Sequence, residues 1–465
     1  MKNGRSSNPL LQAARLGVML GLATLLIPAA AAPPLPKRPE SQQEFWASYD
    51  KRDWSAAIEE ARRLVEQARA RNQPEALASA LTLLGNAQLN GGDKVNAEAS
   101  YREALKITEL QDARGGAELI DPLRGLGYTL ALLERHEEAI PYLERALNAS
   151  HRTYGLFDLG QQGLLRQLAS SLTHTGRLVE GSKQMLYLQR VGERTYGAKD
   201  PRMSPMLCVI ADWYIDTGNF MLGRERYRDA IEIVERKLGK NDPALVLPLR
   251  GLARSYVTEI YYATQGFQPL HDRLLLDPQA VEPKGVNPKY ISSDGERALQ
   301  RAVAILEARP DTAPNLLTDT LIQLGDWYQL KQQSEKALTH YRRAAALVTS
   351  TDPSSPEAAA APLSFPVRVY YPLPPLAMRN RQLSPEEIDE KFVSVQFTVN
   401  DKGYVEDAKV IEQSGTQRQA SEALNAVRGS RYRPKFVNGE PVQTEGVINR
   451  EVFKMRKQAE EEGQS

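Results

Sequence analysis

Apolar and small side chains return at a fixed interval through the middle of this chain. Leu81, Leu123, Leu165, Leu207 and Leu249 stand 42 residues apart, and Leu84, Leu126, Leu168, Ile210 and Leu252 follow each of them by three. A small residue comes next in every case: Gly85, Gly127, Ala169, Ala211, Ala253. Spacing of i, i+3, i+4 is one face of a helix, and the small member lets a second helix come close. Twelve residues further on lie Ala97, Ala139, Gly181 and Gly223, followed after seven by Ala104, Ala146, Leu188 and Ala230. The pattern predicts a second helix packed on the first.

These positions resemble the tetratricopeptide repeat, most clearly in GNAQLNGGDKVNAEASYREALKI and GYTLALLERHEEAIPYLERALN. The usual period is 34 residues; here each unit is longer by eight, as in kinesin light chains, with the excess in the connection between repeats. RTYG at 152 to 155 returns at 194 to 197, Gly239 repeats its glycine, and Asp200-Pro201 and Asp242-Pro243 restart the following helix with proline in its first turn. A degenerate first unit begins near Phe45, with DWSAAIEEARRLVEQA as its second helix, and the last complete unit carries Leu321, Leu324, Gly325, Ala337, Tyr341 and Ala344. The repeats are expected over residues 40–350. The fifth is split: its first helix runs through Tyr256, its second starts near Asp294, and about 33 residues, 261–293, are inserted between them. A long loop inside compact repeats is either a functional element, binding a partner or capping, or a tolerated insertion.

The pattern then changes period. STDPSSPEAAAAPLSFP, residues 350 to 366, breaks the helical spacing and reads as a linker over 351–365. Beyond it Val393, Val395, Phe397 and Val399 alternate with polar residues as a half-buried strand. Asn400 to Gly403 supplies a turn, and Tyr404 to Glu412 returns as a second strand whose alternation falters at Asp407-Ala408, where a bulge is expected. Ala420, Ala423, Leu424 and Val427 form a helical stripe closed by Gly429. Arg431 to Val437 and Glu440 to Met455 flank Asn438-Gly439, a strong hairpin signal.

The order Tyr371-Pro372, FTVNDKGYVEDAKVIEQSG (with Gly403, Ser414 and Gly415), a helix, and YRPKFVNGEPV (with Arg433, Pro434, Asn438 and Gly439) resembles the C-terminal domain of TonB over residues 366–457. The resemblance implies a small α+β unit with a helix across a sheet, working in the periplasm by adding an extended segment of an outer-membrane transporter to its sheet edge. It also points to the final strand as that edge, which places partner contact on Val447, Asn449, Glu451 and Phe453. An exposed edge has physical grounds for this role, because its unpaired N–H and C=O groups can complete a ladder with another chain. Proline at Asn449 or Glu451 is then expected to remove a ladder donor and weaken capture. The plainer alternative is an edge capped by the charged tail, residues 458–465. The expected fold is therefore mainly α: a tetratricopeptide-type helical solenoid followed by a small α+β TonB-like domain.

Composition and the N-terminus narrow the function. Lys and Arg number 59 against 58 for Asp and Glu, a net charge of +1, which gives no electrostatic case for nucleic acid as the main partner. Lys2, Arg5 and Arg15 precede LGVMLGLATLLIPAAAAPP, the charged, apolar, small-residue order of a secretory signal over residues 1–32, with cleavage near Ala30 to Ala32. The alternative is that residues 16–32 remain as an inner-membrane anchor, making the chain a TonB-type energy transducer and providing its membrane contact. That apolar run falls short of the roughly 20 residues a spanning helix needs. Without an anchor no force can be delivered, so the expectation is a periplasmic adaptor: repeats hold one protein partner, and the sheet holds another, such as a TonB-dependent outer-membrane transporter.

Candidate chemistry is sparse. His136, His151, His174, His271 and His340 are scattered and form no close ligand pair; Cys208 stands alone and is expected to be packed in a helix. GRLVEGSK at 176 to 183 lacks the ending of a phosphate loop, Gly125-Leu126-Gly127 belongs to the repeat core, and no GxSxG elbow occurs. No enzyme activity, cofactor, metal or small-molecule substrate is expected.

Overall fold

The computed structural model describes residues 39–111, 116–264, 291–309, 314–348, 363–378 and 388–457. These fall into two compact units that divide between residues 199 and 200. The expected signal segment, most of the insertion, most of the linker and the acidic tail lie outside the described residues.

Among the described residues the first unit has four helix pairs: α1 (Gln43–Asp50) with α2 (Trp54–Ala70), α3 (Pro74–Asn90) with α4 (Lys94–Gln111), α5 (Ile120–Leu132) with α6 (His136–Tyr154), and α7 (Gln162–His174) with α8 (Leu178–Tyr196). The Asp53 side chain caps α2 by accepting from the Ala56 amide at 3.1 Å, and Pro74 opens α3. The small residues do what the spacing predicts. Gly85 and Gly125, on successive first helices, press on the two sides of the fully buried Tyr101 ring, and a Cβ at Gly125 would overlap that ring. Tyr101 is thus a wedge between neighbouring pairs, and its hydroxyl donates to Asn86 Oδ1 at 2.7 Å. Helices α6 and α8 stop at Gly155 and Gly197, whose φ values of 87° and 94° are ones that only glycine adopts without strain.

The second unit opens with α9 (Met203–Asp216) and α10 (Phe220–Leu238), then α11 (Val246–Thr264) with α12 (Ser293–Glu307), and α13 (Pro314–Leu330) with α14 (Ser334–Val348). Helices α11 and α12 pack on each other as one split repeat. Helix α11 runs to Thr264, so residues 261–264 belong to the helix and not to the insertion. Asp242 accepts from the Ala244 amide at 2.9 Å and caps a short 3-10 turn, so the Asp-Pro pair starts one turn ahead of α11. Cys208 is buried on α9, where burial pushes its thiol far above the usual range.

The C-terminal domain follows in the same unit. Its strands are β1 (Val367–Tyr370), β2 (Ile388–Val399), β3 (Val405–Gln413), β4 (Arg431–Arg433), β5 (Lys435–Val437), β6 (Glu440–Val442) and β7 (Thr444–Arg456). A short helix, α15 (Pro375–Met378), precedes β2, and α16 (Gln417–Gly429) precedes β4. An antiparallel sheet runs in the order β3-β2-β7; β1 pairs with β4, and β5 with β6. The buried face of β2, Val393, Val395, Phe397 and Val399, meets Ala420, Ala423 and Val427 of α16, with Phe453 and Tyr432 completing the core. Thr416 and Gln419 form a capping box at the start of α16.

Register shifts mark bulges in β3, one at Asp407-Ala408 and a second near Ile411; Asp407 has φ 52°. Two expectations are corrected. The Asn438-Gly439 hairpin, with φ of 52° and 82°, joins only β5 and β6, because β4 turns away to β1 and residues from Thr444 onward pair with β2. Buried Pro434 interrupts the longer strand between β4 and β5. The linker also ends earlier than expected: Leu363 is buried and its carbonyl accepts from the Phe436 amide at 2.8 Å.

Candidate interaction surface

Strand β7 lies at an edge of the three-stranded sheet, where the final strand was expected, and spans 13 residues. The ladder phase decides which of its backbone groups face outward. Ser414 N donates to Phe392 O at 3.0 Å, and at the far end of β2 Asn400 N donates to Tyr404 O at 2.9 Å. Even-numbered residues of β2 therefore aim their backbone at β3, and odd-numbered ones aim at β7. Val393, Val395 and Phe397 face Glu451, Asn449 and Val447, so these three, and Phe453 in the same phase, spend their N–H and C=O groups inside the sheet. The outward groups belong to Ile448, Arg450 and Val452, and among the described residues these have no backbone partner.

The four residues singled out from the sequence thus lie on the edge strand but carry its inner ladder. Their side chains point to the helix-covered face. Phe453 is core; Asn449 and Glu451 are half-buried and held by Tyr371, whose hydroxyl donates to Glu451 Oε2 at 2.6 Å and accepts from Asn449 Nδ2 at 3.3 Å. Arg368 donates to Asn449 Oδ1 at 2.8 Å and lies 4.5 Å from the Tyr371 ring centroid. Burial, reinforced by the Glu451 charge, raises the Tyr371 phenol well above its ordinary range, so Tyr371 stays a neutral donor.

The remaining motif residues shape the domain. Pro372 packs where a Cβ on Gly429 would stand, 2.9 Å from its Cγ. Gly403 closes the β2–β3 turn with its amide on Asn400 O, accepts from Tyr432 N at 2.9 Å, and leaves no room for a Cβ against the Tyr432 carbonyl. Ser414 Oγ accepts from Phe392 N at 2.9 Å, and Gly415 lets Gln419 fold back onto Thr416 N at 2.7 Å. Asn438 and Gly439 form the β5–β6 turn. Arg433, nearly buried, points away from the sheet toward Asp326 of α13.

The outer sheet face was missed by the sequence reading. Ile448, Val452 and Ile411 are exposed there, and Arg450 sits 3.6 Å from the Phe392 ring centroid. The signal lies in the other phase of β7, where Ile448 and Val452 alternate with Val447, Asn449, Glu451 and Phe453. Elsewhere, two of the scattered histidines meet: the His136 and His174 rings stack at 4.0 Å. His151 contacts Gln161 and Tyr187, and His340 stacks on Tyr328; His271 lies outside the described residues. Among the described residues no group of three or more His, Cys, Asp or Glu is placed to hold a metal ion, and no helix is long and apolar enough to cross a membrane.

Residues 392–455 match the family described as Gram-negative bacterial TonB protein C-terminal. Residues 78–109 and 125–150 match the tetratricopeptide repeat. The chain carries tetratricopeptide repeats and a TonB-type C-terminal domain. The match to the TonB family runs from Phe392 within β2 to Met455 within β7, the sheet whose edge is described above. Similar solved structures include TPR-like repeats of a Podosopora anserina protein named for kinesin light chain (15% identity, 50% of this chain and 96% of that one, TM-score 0.36). BtubC (BKLC) from P. vanneervenii is 18% identical over 69% of this chain and 95% of its own, with a TM-score of 0.32. The C-terminal part of a TPR repeat-containing protein from Cytophaga hutchinsonii is 10% identical over 68% and 97%, with a TM-score of 0.37. No curated protein matches. Repeats of this type are protein-interaction scaffolds.

Proposed function

We propose that this protein is a non-enzymatic periplasmic adaptor whose repeats hold one protein partner while its TonB-type domain takes an extended segment of a second by strand addition along β7. The observation that carries this reading is the row of outward backbone groups at Ile448, Arg450 and Val452 on a long edge strand. An extended peptide laid against them gains main-chain hydrogen bonds without any rearrangement of the core. The family match adds the precedent of a domain from Gram-negative bacteria, and the N-terminal charge and apolar order supply the export route. The second partner in this reading is an outer-membrane transporter.

Hydrogen exchange on the full chain tests it. Synthetic extended segments of outer-membrane transporters from the same cell are expected to slow exchange at the Ile448, Arg450 and Val452 amides while leaving Asn449 and Glu451 unchanged. If no segment protects the outward amides, strand addition at β7 is wrong. Fractionation with N-terminal sequencing tests the address: a mature chain beginning after Ala30 to Ala32 in the periplasm supports the adaptor, whereas residue 1 retained in the inner membrane supports an energy transducer.

A further inference from the structure

The last repeat does not end the way a helical stack ends against water. In the pair α9/α10, the Tyr227 hydroxyl donates to Asp212, and Arg254 from the next first helix, α11, closes over both, bonding Asp212 and lying 3.2 Å from Tyr227 Oη. Gly251 of α11 meets the Tyr227 ring. The pair α13/α14 repeats the first half of this arrangement: Tyr341 Oη donates to Asp326 Oδ1 at 2.7 Å, with the same 15-residue spacing. Among the described residues no further repeat follows to supply the arginine and the cover. The C-terminal domain supplies both. Arg433 Nε of β4 stands 3.7 Å from Asp326 Oδ1, and the Phe436 ring of β5 packs edge-on against Tyr341 at 6.1 Å. Tyr341 is fully buried, although it belongs to the final repeat.

A second element of the seam is the Gln329 side chain of α13, which is buried and donates to two main-chain carbonyls of the domain, Lys402 O and Tyr432 O, each at 2.8 Å. Two ion pairs border it: Arg342 with Glu440 and Lys402 with Glu335, both at 2.9 Å. Strands β1 and β4 touch α13, and β6 touches α14, as α11 touches α9 and α10.

We infer that the TonB-type domain is the terminal member of the helical stack: it occupies, on the last repeat, the place of a following repeat, with Arg433 set as an ion pair beside Asp326 where Arg254 stands over Asp212 and Tyr227, and Phe436 covering Tyr341. Helical repeats need a cap because the exposed face of the last pair is apolar. In the adaptor reading the cap is also the domain that takes the second partner, so the β7 edge is carried on α13 and α14 by the seam itself.

The test uses the full chain with a site-specific protease sequence placed within residues 352–358. After complete cutting, the two parts are expected to co-elute on size exclusion at micromolar concentration, and Asp326→Leu with Gln329→Leu is expected to weaken their association at least tenfold. Separation of the cut parts carrying the native seam overturns the inference. Should the double variant lose helicity by circular dichroism, the exposed pair decides: Arg342→Glu is expected to weaken association several-fold and Glu440→Arg to restore it, and no change with either overturns the inference.

Discussion

The backbone carbonyl of Phe392 accepts from the amide of Ser414 at 3.0 Å, and this one bond sets the phase of the whole sheet. It turns the neighbouring Val393 toward β7 and so commits Glu451 and Asn449 to the interior ladder. Proline has opposite consequences at adjacent positions of β7. Arg450→Pro removes an outward donor and is expected to leave the melting temperature close to that of the native chain while abolishing protection by an added strand; Arg450→Ala controls for loss of the contact with Phe392. Asn449→Pro deletes a bond inside the sheet and is expected to lower domain stability by roughly 1–3 kcal/mol. Equal loss of stability from both would show that the phase is misassigned.

Glycines at equivalent-looking places carry different loads. Gly125→Ala drives a methyl group into the buried Tyr101 ring, an overpacking that costs roughly 1–3 kcal/mol because the ring is wedged between two helices. Gly155→Ala meets nothing within 4 Å and costs only the conformational strain of a positive φ, about 1 kcal/mol. Urea unfolding of the two variants is expected to rank them in that order, and the reverse order would contradict the wedge.

Acid should loosen the first unit through His136. Its side chain is 11% exposed and its pKa is lowered to about 4, first by burial and then by the stacked His174, with Glu134 opposing. The unfolded ring titrates near 6.5. Between these values the unfolded chain binds the proton that the folded chain refuses, so stability rises with pH from about 4 to about 6.5 and is level above. The loss on acidification through that window is at most about 3 kcal/mol. His136→Phe should flatten the difference between melting temperatures at pH 7.5 and pH 4.5; an unchanged slope would place the acid sensitivity elsewhere.

The helical repeats were legible because their code is local. Leu81, Leu84 and Gly85, and their counterparts at 42-residue steps, are buried where the helical period puts them, and even the faltering at Asp407-Ala408 was a visible bulge. What could not be read is what depends on pairing partners far apart in the chain. The alternation in β7 shows two faces, but which backbone groups point inward is set by Phe392 on β2 and Ser414 just past β3. Arg433 belongs to the domain's motif, yet its charged partner is Asp326, more than 100 residues earlier in the chain. A signal for that contact did exist, since Asp212 and Asp326 each precede a tyrosine by 15 residues and only the former is followed by a repeat carrying Arg254.

Helices α6, α8 and α10 all terminate at a glycine with φ between 87° and 96°, at Gly155, Gly197 and Gly239. Because each stop sits at the same point of its 42-residue block, excising residues 156–197 would join two chain ends of like geometry. Such a chain could shorten or lengthen by whole modules through simple duplication and loss in its gene, altering its reach without redesigning any single joint.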